Sequence, residues 1–405
     1  MGLLKVKSYQ ELILKIGIIE ICVEGHYVVV NALIKTYLSS TENEVLVFTT
    51  PAIKKLLAAQ NNHPQLSFVV LEDKKKVGAF IQSMNAYQLN RIHYSTISKY
   101  FKEFYLLNVH SSCEEYFHFH NIDLWFMSAF KLQAIRLMEL FKTQKGFLNL
   151  FNHFKYSVKD ILWDYYRKKL ITKLIHKQVT FIILSEAQKK YLESFLKGSD
   201  TLIFPSLIFE DDSILTAEIL PKPPGKIRVC VPGAVVQSKK EYDKFLTVLE
   251  KDLEFYKQYY IFDLLGRVSA EEKNLFERIK ALEKNGLEIY YYLSFIDVIE
   301  FDQKLYASDI ILSNMHLNDG LTIQNKETAA VYQMIRGAKP GIFPGYFQLD
   351  HYFEGSVIKF ATYDTLDNLF KSLVEDKDLL INLQVHAKKV SQDFTPENLL
   401  KRLIP

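Results

Sequence analysis

Two stretches of the sequence decide the fold: KIRVCVPGAVVQSKKEY at residues 226–242 and ETAAVYQMIRGAKP at residues 327–340. In the first, a β-rich run ends at a Pro-Gly pair, and Lys239 and Lys240 precede a predicted helix. In the second, a predicted helix ends at a glycine, and the proline three residues later marks the start of a new strand. Because a helix N-terminus presents unpaired amides and a positive dipole end, the first stretch is typical of an anion-binding turn.

Strand-like and helix-like segments alternate along the rest of the chain. The predicted strands, mostly short apolar runs, are 16–23, 44–49, 67–71, 104–110 and 180–185 in the first half, and 228–231, 260–265, 287–293, 309–313 and 341–343 in the second. The predicted helices include 27–38, one starting at Thr50, most of 113–177, 240–253, 271–284, 301–307, 327–336 and 365–373. Alternation of this kind predicts a parallel, doubly wound sheet in each half, which is the α/β class.

A loop-like segment separates the two series of elements. Residues 206–226 carry an acidic run and a Pro-rich run, which is loop composition. We therefore predict one domain over 1–205, a second over 206–385, and a tail over 386–405. A length of 405 residues agrees with two such domains.

Composition excludes several classes of protein. Apolar residues make up 48% and charged residues 24%, which is ordinary for a globular chain, and a net charge of +3 does not indicate a nucleic-acid partner. The three cysteines, Cys22, Cys113 and Cys230, form neither a zinc pattern nor a disulfide framework, which favours a reducing compartment. The first residues lack a signal-peptide core, and no run of about 18 apolar residues exists. We expect a cytoplasmic protein.

Short motifs in a particular order resemble those of glycosyltransferases with the GT-B fold, nearest to the large family 4 group. The matching pieces are GHYVVVNAL at 25–33, NVHS at 108–111, ILSEAQKKYL at 183–192 and LYASDIILS at 305–313, together with the two stretches quoted above. The likeness covers nearly the whole chain and is better from 226 to 375 than before it.

The resemblance implies two Rossmann-like domains facing a central cleft that holds a nucleotide sugar. The acceptor side would be 1–205, the donor side 206–385, and 386–405 would form a helix crossing back to the first domain. The implied function is sugar transfer to a glycan or lipid-linked acceptor in surface-polysaccharide or glycoconjugate synthesis. Family 4 further implies retention of the anomeric configuration. Neither a metal nor another cofactor is expected, since the nucleotide sugar is itself the substrate.

The first donor motif is only partly that of the family. The glycine that matches Gly233 is usually followed by an arginine, here Ala234, whereas the expected lysine is present as Lys239. We predict that Lys239 is catalytic, and that Lys239 and Lys240 neutralise the departing diphosphate, because an ammonium there stabilises charge that develops in the transition state. The alternative is an ordinary solvated lysine pair that opens a surface helix.

The second donor motif departs further. Counted back from Pro340, the family's paired glutamates fall at Asn325 and Gln333, and Glu327 could substitute for one of them. We keep all three as candidate donor-binding residues. The missing carboxylates leave open a different donor, a diverged subfamily, or a non-catalytic GT-B scaffold or carbohydrate-binding partner protein. An epimerase is a third possibility, although the donor half lacks evident acid and base groups for it.

The acceptor side of the predicted site lies at strand ends of the first half. His26 follows Gly25 at the end of the first predicted strand, where ligands of open α/β sheets bind. We predict that His26 acts as a general base or binds acceptor hydroxyls, with Glu24 as a second candidate base. His110 ends the predicted strand 104–110 at the same edge. The alternative for His26 is a hydrogen bond to a backbone carbonyl.

Two further features each have two interpretations. His118 and His120 form a His-x-His pair, but a metal site needs a third ligand, so aromatic packing is the preferred interpretation. The segment 142–177 is basic with interleaved aromatic residues, which suits either a helix on an anionic membrane surface or a solvated face over an aromatic core. A nucleic-acid partner is not expected, because the excess charge is confined to this segment.

Overall fold

The structure, a computed structural model, forms two compact units. The first comprises Met1–Leu184, Leu192–Ser206 and Leu399–Pro405, and the second Ser185–Tyr191 and Leu207–Asn398. The described residues are 13–22, 26–96, 100–109, 112–119, 122–126, 158–210, 222–238, 240–316 and 328–404. None of the helices within these ranges combines the length and apolar character that a membrane span requires.

The first unit contains one sheet of seven parallel strands in the order β3-β2-β1-β4-β5-β6-β7. The strands are β1 (Lys15–Glu20), β2 (Glu44–Thr49), β3 (Leu66–Val70), β4 (Arg91–Thr96), β5 (Glu114–His118), β6 (Thr180–Ile183) and β7 (Thr201–Ile203). The helices up to residue 206 are α1 (Tyr27–Leu38), α2 (Pro51–Ala58), α3 (Val77–Ser83), α4 (Phe101–Leu106), α5 (Asp123–Phe126), α6 (Val158–His176) and α7 (Glu186–Glu193).

Local sequence explains the elements that were predicted. The side chains of Ile16, Ile18 and Ile19 in β1 are fully buried, as expected of a central strand covered on both faces. At the start of α2 the Thr50 side chain accepts a hydrogen bond from the amide of Ile53, and a proline occupies the first turn. The prediction of a parallel α/β sheet in this half is confirmed.

One predicted strand is wrong, and three real strands, β4, β5 and β7, escaped prediction. The described part of this segment, residues 104–109, does not form a strand: the helix α4 covers Phe101–Leu106, and β4 and β5 supply the strands on either side of it. The apolar run misled because Phe101 and Phe104 form the buried face of a short helix that packs on α6. His110 lies outside the described residues, so its predicted place at a strand end loses the strand on which it depended.

Strand β4 escaped prediction because its polar side chains are buried in pairs. Arg91 donates to the carbonyl of Leu403 at 2.6 Å and lies 2.7 Å from the Glu114 carboxylate. His93 is fully buried and contacts His118, with 3.0 Å between His93 Nδ1 and His118 Nε2. A sequence that alternates Arg, His and Ser looks like a surface segment until these long-range partners are known.

The second unit contains six parallel strands in the order β10-β9-β8-β11-β12-β13. The strands are β8 (Ile227–Pro232), β9 (Tyr260–Arg267), β10 (Glu288–Tyr292), β11 (Ile310–Leu312), β12 (Gly341–Pro344) and β13 (Val357–Phe360). The helices described after residue 206 are α8 (Tyr242–Lys251), α9 (Leu253–Tyr259), α10 (Lys273–Lys284), α11 (Val298–Ala307), α12 (Ala329–Gly337), α13 (Tyr363–Glu375), α14 (Lys377–Gln392) and α15 (Pro396–Leu403). The predicted strand–helix alternation is confirmed here, and β13 is the strand that was missed.

Helices cover both faces of this second sheet. On one face Val229 and Val231 belong to a buried apolar cluster that also contains Phe245 of α8, Ile279 of α10 and Phe370 of α13. On the opposite face a charged cluster is buried: Asp263 of β9 lies 2.7 Å from Lys304 of α11 and 3.4 Å from Arg228 of β8. Covering on both faces explains why the strands are mostly apolar, and it makes the sheet doubly wound.

Candidate functional site

Each sheet has one place where the strand order reverses. In the second unit, β8 has β9 on one side and β11 on the other, so the chain winds outward in both directions from β8. In the first unit the same holds for β1, between β2 and β4. Ligands of open α/β sheets bind at the carboxyl ends of the strands at such a reversal. We therefore expect one candidate site after β8 and β11 and another after β1 and β4.

The loop after β8 is built around two glycines. Gly233 has a φ of +96°, a left-handed conformation that favours glycine. Gly266, in the neighbouring strand β9, lies directly against it: a Cβ at Gly266 would lie 2.2 Å from the carbonyl oxygen of Gly233. Both glycines are needed for this close approach, which holds the loop against the end of the sheet.

The ammonium group of Lys240 lies under this loop. Its Nζ donates to the carbonyl oxygen of Pro232 and lies 3.1 Å from where a Cβ of Gly233 would be. Burial lowers the pKa of Lys240 to about 8. Among the residues that the structure describes, no carboxylate forms an ion pair with this ammonium. A largely desolvated cation with a neutral partner is a ready site for an anion.

Polar side chains after β11 supply the other side of the reversal. The hydroxyl of Tyr363 donates to Asn314 Oδ1 at 2.6 Å, which fixes the orientation of the amide. Asn314 Nδ2, Ser313 Oγ and the Tyr242 hydroxyl are buried and have no hydrogen-bond partner in the described part of the chain. Buried polar groups are normally paired, so three unpaired ones at one sheet edge point to a ligand or ordered water.

A charged cluster joins the start of α8 to the segment after β11. Glu241 Oε1 lies 2.6 Å from the Lys244 ammonium and 3.8 Å from Nδ1 of His316. The hydroxyl of Tyr346, which follows β12, donates to the backbone carbonyl of His316. The segment after β11 is thus held by contacts from two neighbouring elements. One of these contacts comes from Glu241, the residue after Lys240, at the same edge of the sheet.

The structure brings together only part of the predicted donor site. Gly233 and Lys240 meet at the reversal, whereas Lys239, Asn325 and Glu327 lie outside the described residues. Gln333 lies on α12, and its Oε1 atom is buried without a partner in the ranges described above.

The helix that carries Gln333 ends as predicted at Gly337, but the left-handed residue after it is Ala338, with a φ of 50°. Position 337 requires a glycine because of packing and not because of a left-handed backbone conformation. A Cβ there would lie 3.2 Å from the side chain of Leu305 in α11.

A second cluster occupies the reversal in the first unit. His26 follows the end of β1, and its Nδ1 is hydrogen-bonded with the hydroxyl of Thr96, the last residue of β4. The same Nδ1 lies 3.5 Å from Glu20 Oε2, at the end of β1. The Glu20 carboxylate is fully buried and its Oε1 accepts a hydrogen bond of 2.8 Å from the amide of Cys22. The His26 side chain is 29% exposed, so the imidazole is accessible to solvent.

His26 was a predicted site residue, whereas Glu20, which lies beside it in the structure, was not. Glu24, Gly25 and His110 lie outside the described residues. Glu20 was passed over as an interruption of an apolar strand, yet a lone carboxylate at the carboxyl end of a buried strand is itself an indication of a site. Thr96 could not be found from sequence, because its strand was not predicted.

The structure describes part of the His-x-His pair at 118 and 120 and part of the basic segment 142–177. His118 is buried at the end of the strand β5 and not in a loop, where His93 contacts it and the His93 ring stacks on Tyr116 at 4.6 Å. His120 and residues 142–157 lie outside the described residues. The remainder of the basic segment, to residue 177, forms α6 and the turn after it.

Comparison with known proteins identifies the fold. No family model and no curated protein matches the sequence. Among solved structures, a glycosyltransferase from Rickettsia africae ESF-5 is similar over 97% of both chains, with 13% identity and a TM-score of 0.61. Anabaena Alr3699/HepE, in complex with UDP and glucose, is 13% identical over 96% of this chain and 98% of its own, with a TM-score of 0.60.

The same fold also occurs in another class of enzyme. A putative UDP-N-acetylglucosamine 2-epimerase from Listeria monocytogenes is 8% identical over 94% of both chains, with a TM-score of 0.55. Identities this low establish the architecture alone. The chain therefore has the two-sheet α/β architecture of GT-B glycosyltransferases, and the closer resemblance to family 4 stays a prediction.

Proposed function

We propose that the protein is a glycosyltransferase whose second unit binds a nucleoside-diphosphate sugar at the end of β8 and β11. The observation that carries the proposal is the ammonium of Lys240, which lies under the Gly233 loop without a carboxylate partner among the described residues. The likeness over nearly the whole chain to a glycosyltransferase, and to a protein solved in complex with UDP and glucose, supports it.

The chemistry of transfer fits this position. When the bond from the sugar to the diphosphate breaks, negative charge develops on the leaving oxygen and must be neutralised. Lys240 can exchange its neutral carbonyl partner for a phosphate oxygen, which is a stronger, charge-assisted hydrogen bond. We assign Lys239, the preceding residue, as the second cation and as a catalytic residue. Asn314 and Ser313 provide neutral donors at the same edge, and Asn325, Glu327 and Gln333 remain proposed donor contacts.

The first unit is proposed to bind the acceptor, a glycan or a lipid-linked sugar, at the end of β1 and β4. His26 supplies a base there, and Glu24, Gly25 and His110 are proposed contacts.

Peripheral association of this cytoplasmic enzyme with an anionic membrane is part of the proposal. It rests on the exposed surface of α6 and the neighbouring α4. Large apolar side chains are exposed on this surface: Leu106, Leu162, Tyr165 and Ile175. Lys168 and Lys169 are exposed on the same helix.

The decisive experiment is nucleotide binding and turnover with the full chain. Calorimetry against UDP, GDP, ADP and their glucose conjugates should reveal one diphosphate that binds, and free diphosphate should be released on addition of a cell-envelope lipid extract. In Lys240→Gln, affinity for that diphosphate should fall by about 10-fold or more, as expected for loss of a charge-assisted contact.

The matched control is Lys251→Gln, an exposed lysine at the far end of α8, which should bind like the wild type. Equal affinity of Lys240→Gln and wild type would contradict the donor site. Binding of a sugar nucleotide without any release of diphosphate would favour the alternative, a non-catalytic carbohydrate-binding scaffold.

A further inference from the structure

We propose that a second copy of this chain pairs with the edge strand β10, so that the protein forms a two-fold symmetric dimer in which the two sheets of the second unit become continuous. The surface consists of β10 and the segment 293–299 that follows it. Its role does not depend on the proposed glycosyl transfer.

The strand β10 is an edge strand without the usual protection. Among the described strands only β9 pairs with it. Residues 289–296, IYYYLSFI, contain neither a charged residue nor a proline. Soluble proteins commonly place such residues on an edge strand, because its unpaired backbone groups otherwise bind another strand. The opposite edge strand of the same sheet, β13, carries the exposed Lys359, so the two edges differ in this respect.

Large apolar side chains are exposed on β10 and directly after it. Tyr290 is 42% exposed, Leu293 64% and Phe295 85%. Val298 and Ile299, at the start of α11, are exposed as well. These five side chains lie within ten residues of sequence. An exposed apolar stretch of this kind marks an interaction surface.

The backbone of β10 determines how another strand can pair with it. The carbonyl oxygen of Tyr292 accepts a hydrogen bond from the Val268 amide, so the backbone groups of Tyr292 face the neighbouring strand. Successive residues of a strand turn their N–H and C=O groups to opposite sides. The backbone groups of Ile289 and Tyr291 therefore point away from the sheet. In an antiparallel pair with Tyr291 of both copies at the two-fold axis, Ile289 of each copy lies opposite Leu293 of the other.

This pairing makes the surface complementary to itself. A two-fold axis brings the same strand to both sides of the contact, and it closes the assembly at two copies. In the same register Tyr290 of each copy lies opposite Tyr292 of the other. Directly opposed aromatic side chains stabilise antiparallel pairs. An uncharged strand offers a foreign peptide no charge to select it, whereas a second copy always supplies the matching strand.

The charges on either side of β10 favour the antiparallel direction. Lys284 is exposed at the end of α10, before the strand, and Asp297 and Glu300 are exposed after it. The neighbour of Lys284, Glu283, accepts a hydrogen bond of 3.1 Å from the Tyr291 hydroxyl. Antiparallel pairing brings Lys284 of one copy toward the acidic side chains of the other, at both ends of the contact. Such complementarity fixes the direction of association.

Sedimentation equilibrium of the full chain over a dilution series tests the dimer. The wild type should reach twice the 47.3 kDa of one chain. Leu293→Lys should raise the dimer dissociation constant by about 10-fold or more, because the axis places the charge twice on the strand edge. Val385→Lys, at a position of α14 that is 62% exposed, is the matched control and should dimerise like the wild type.

A wild type that stays monomeric at every concentration, or whose mass grows beyond two copies, would overturn the proposal. An equal effect of Leu293→Lys and Val385→Lys would place the contact elsewhere and overturn it as well. Both positions are exposed in the single chain, so neither substitution removes a buried contact.

Disulfide trapping tests the register. Cα atoms of a hydrogen-bonded antiparallel pair lie about 5.5 Å apart, which is within the range that a disulfide spans. Tyr291→Cys should therefore give a covalent dimer on mild oxidation, seen on a non-reducing denaturing gel. Val385→Cys, which has the same native cysteines, should stay a single chain. A Tyr291→Cys protein that dimerises like the wild type but does not cross-link would overturn the pairing through β10.

Discussion

Lys240, which is half-buried, differs from the buried Lys304 of its unit in what surrounds it. Lys304 pairs with the Asp263 carboxylate at 2.7 Å, which compensates its buried charge. Lys240 has a backbone carbonyl instead, and burial brings its pKa down to about 8. If Lys240 had only a structural role, we would expect a carboxylate partner for its ammonium or an apolar residue in its place. A charge in this position suits the ligand anion that we propose.

The lowered pKa predicts a pH dependence of nucleotide binding. Below pH 8 the ammonium is already formed, so affinity for a nucleoside diphosphate should be at its maximum with respect to this group. As pH rises above 8 the free protein loses the proton and must take it up again on binding, so affinity should fall by up to about 10-fold per pH unit. Calorimetry at pH 9 in buffers of different ionisation enthalpy should detect proton uptake.

The same titrations with Lys240→Gln provide the control. Proton uptake at pH 9 should disappear, and the affinity of the variant should be flat between pH 7 and 9. Uptake that persists in the variant would assign the titration to another group.

At the scale of elements, α6 shows how position on a helix decides what a lysine can do. Lys173 is not a free surface charge: its ammonium donates to the backbone carbonyls of Tyr105, at 2.6 Å, and of Leu107, at the end of α4. Burial lowers the pKa of Lys173. Lys177 pairs with the Glu115 carboxylate at 2.6 Å. Among the lysines of α6 whose side chains the structure describes, the exposed ones are Lys168, which pairs with Asp164 at 2.8 Å, and Lys169.

Membrane binding through α6 therefore has a specific test. The double variant Lys168→Gln/Lys169→Gln should lose binding to vesicles that contain anionic phosphatidylserine, because each surface lysine contributes about 1 kcal/mol that salt screens. Co-sedimentation measures it, with neutral phosphatidylcholine vesicles as the reference. Lys54→Gln/Lys55→Gln, an equal change of charge on exposed positions of α2, should bind like the wild type. An equal loss of vesicle binding in both double variants would show that the membrane attracts the protein's positive charge non-specifically and not through α6.

Elements were predictable from sequence where a strand was mostly apolar, as in β1 and β8. Strand β4 was not, because Arg91 and His93 are satisfied by partners that only the fold brings near. The site followed the same rule. Gly233 and Lys240 belong to one local motif, so sequence could place them together. Glu20 and Asn314 could not be placed, since their roles depend on a neighbouring strand or on a tyrosine 49 residues away.

At the scale of the whole molecule, the first unit contains a buried chain of polar groups that is sensitive to acid. The Tyr37 hydroxyl lies 2.7 Å from Nε2 of His93, whose Nδ1 contacts His118. Burial, reinforced by the Arg91 charge, lowers the pKa of His93 from 6.5 to about 3. The folded state therefore binds fewer protons than the unfolded state between these two values. Stability is fully present above pH 6.5 and is lost as pH falls toward 3.

The expected slope is up to about 1.4 kcal/mol per pH unit from this histidine alone. Urea unfolding followed by tryptophan fluorescence can measure it, because both tryptophans of the chain, Trp125 and Trp163, belong to the first unit. His93→Asn should lower stability at pH 7 and flatten its decline between pH 6.5 and 4. The exposed His176→Asn should keep the wild-type slope, and a flattened slope there would reassign the effect.

The first unit is also discontinuous, and this has a consequence for synthesis. Its buried Arg91 donates to the carbonyl of Leu403, 312 residues later. A ribosome delivers Arg91 long before its partner, and the second unit emerges in between. Until Leu403 has been synthesised, the Arg91 guanidinium lacks this hydrogen bond. The first unit can therefore be completed only after the second unit has been made. Changes near Leu403 should consequently lower the yield of folded chain more than their small share of the sequence suggests.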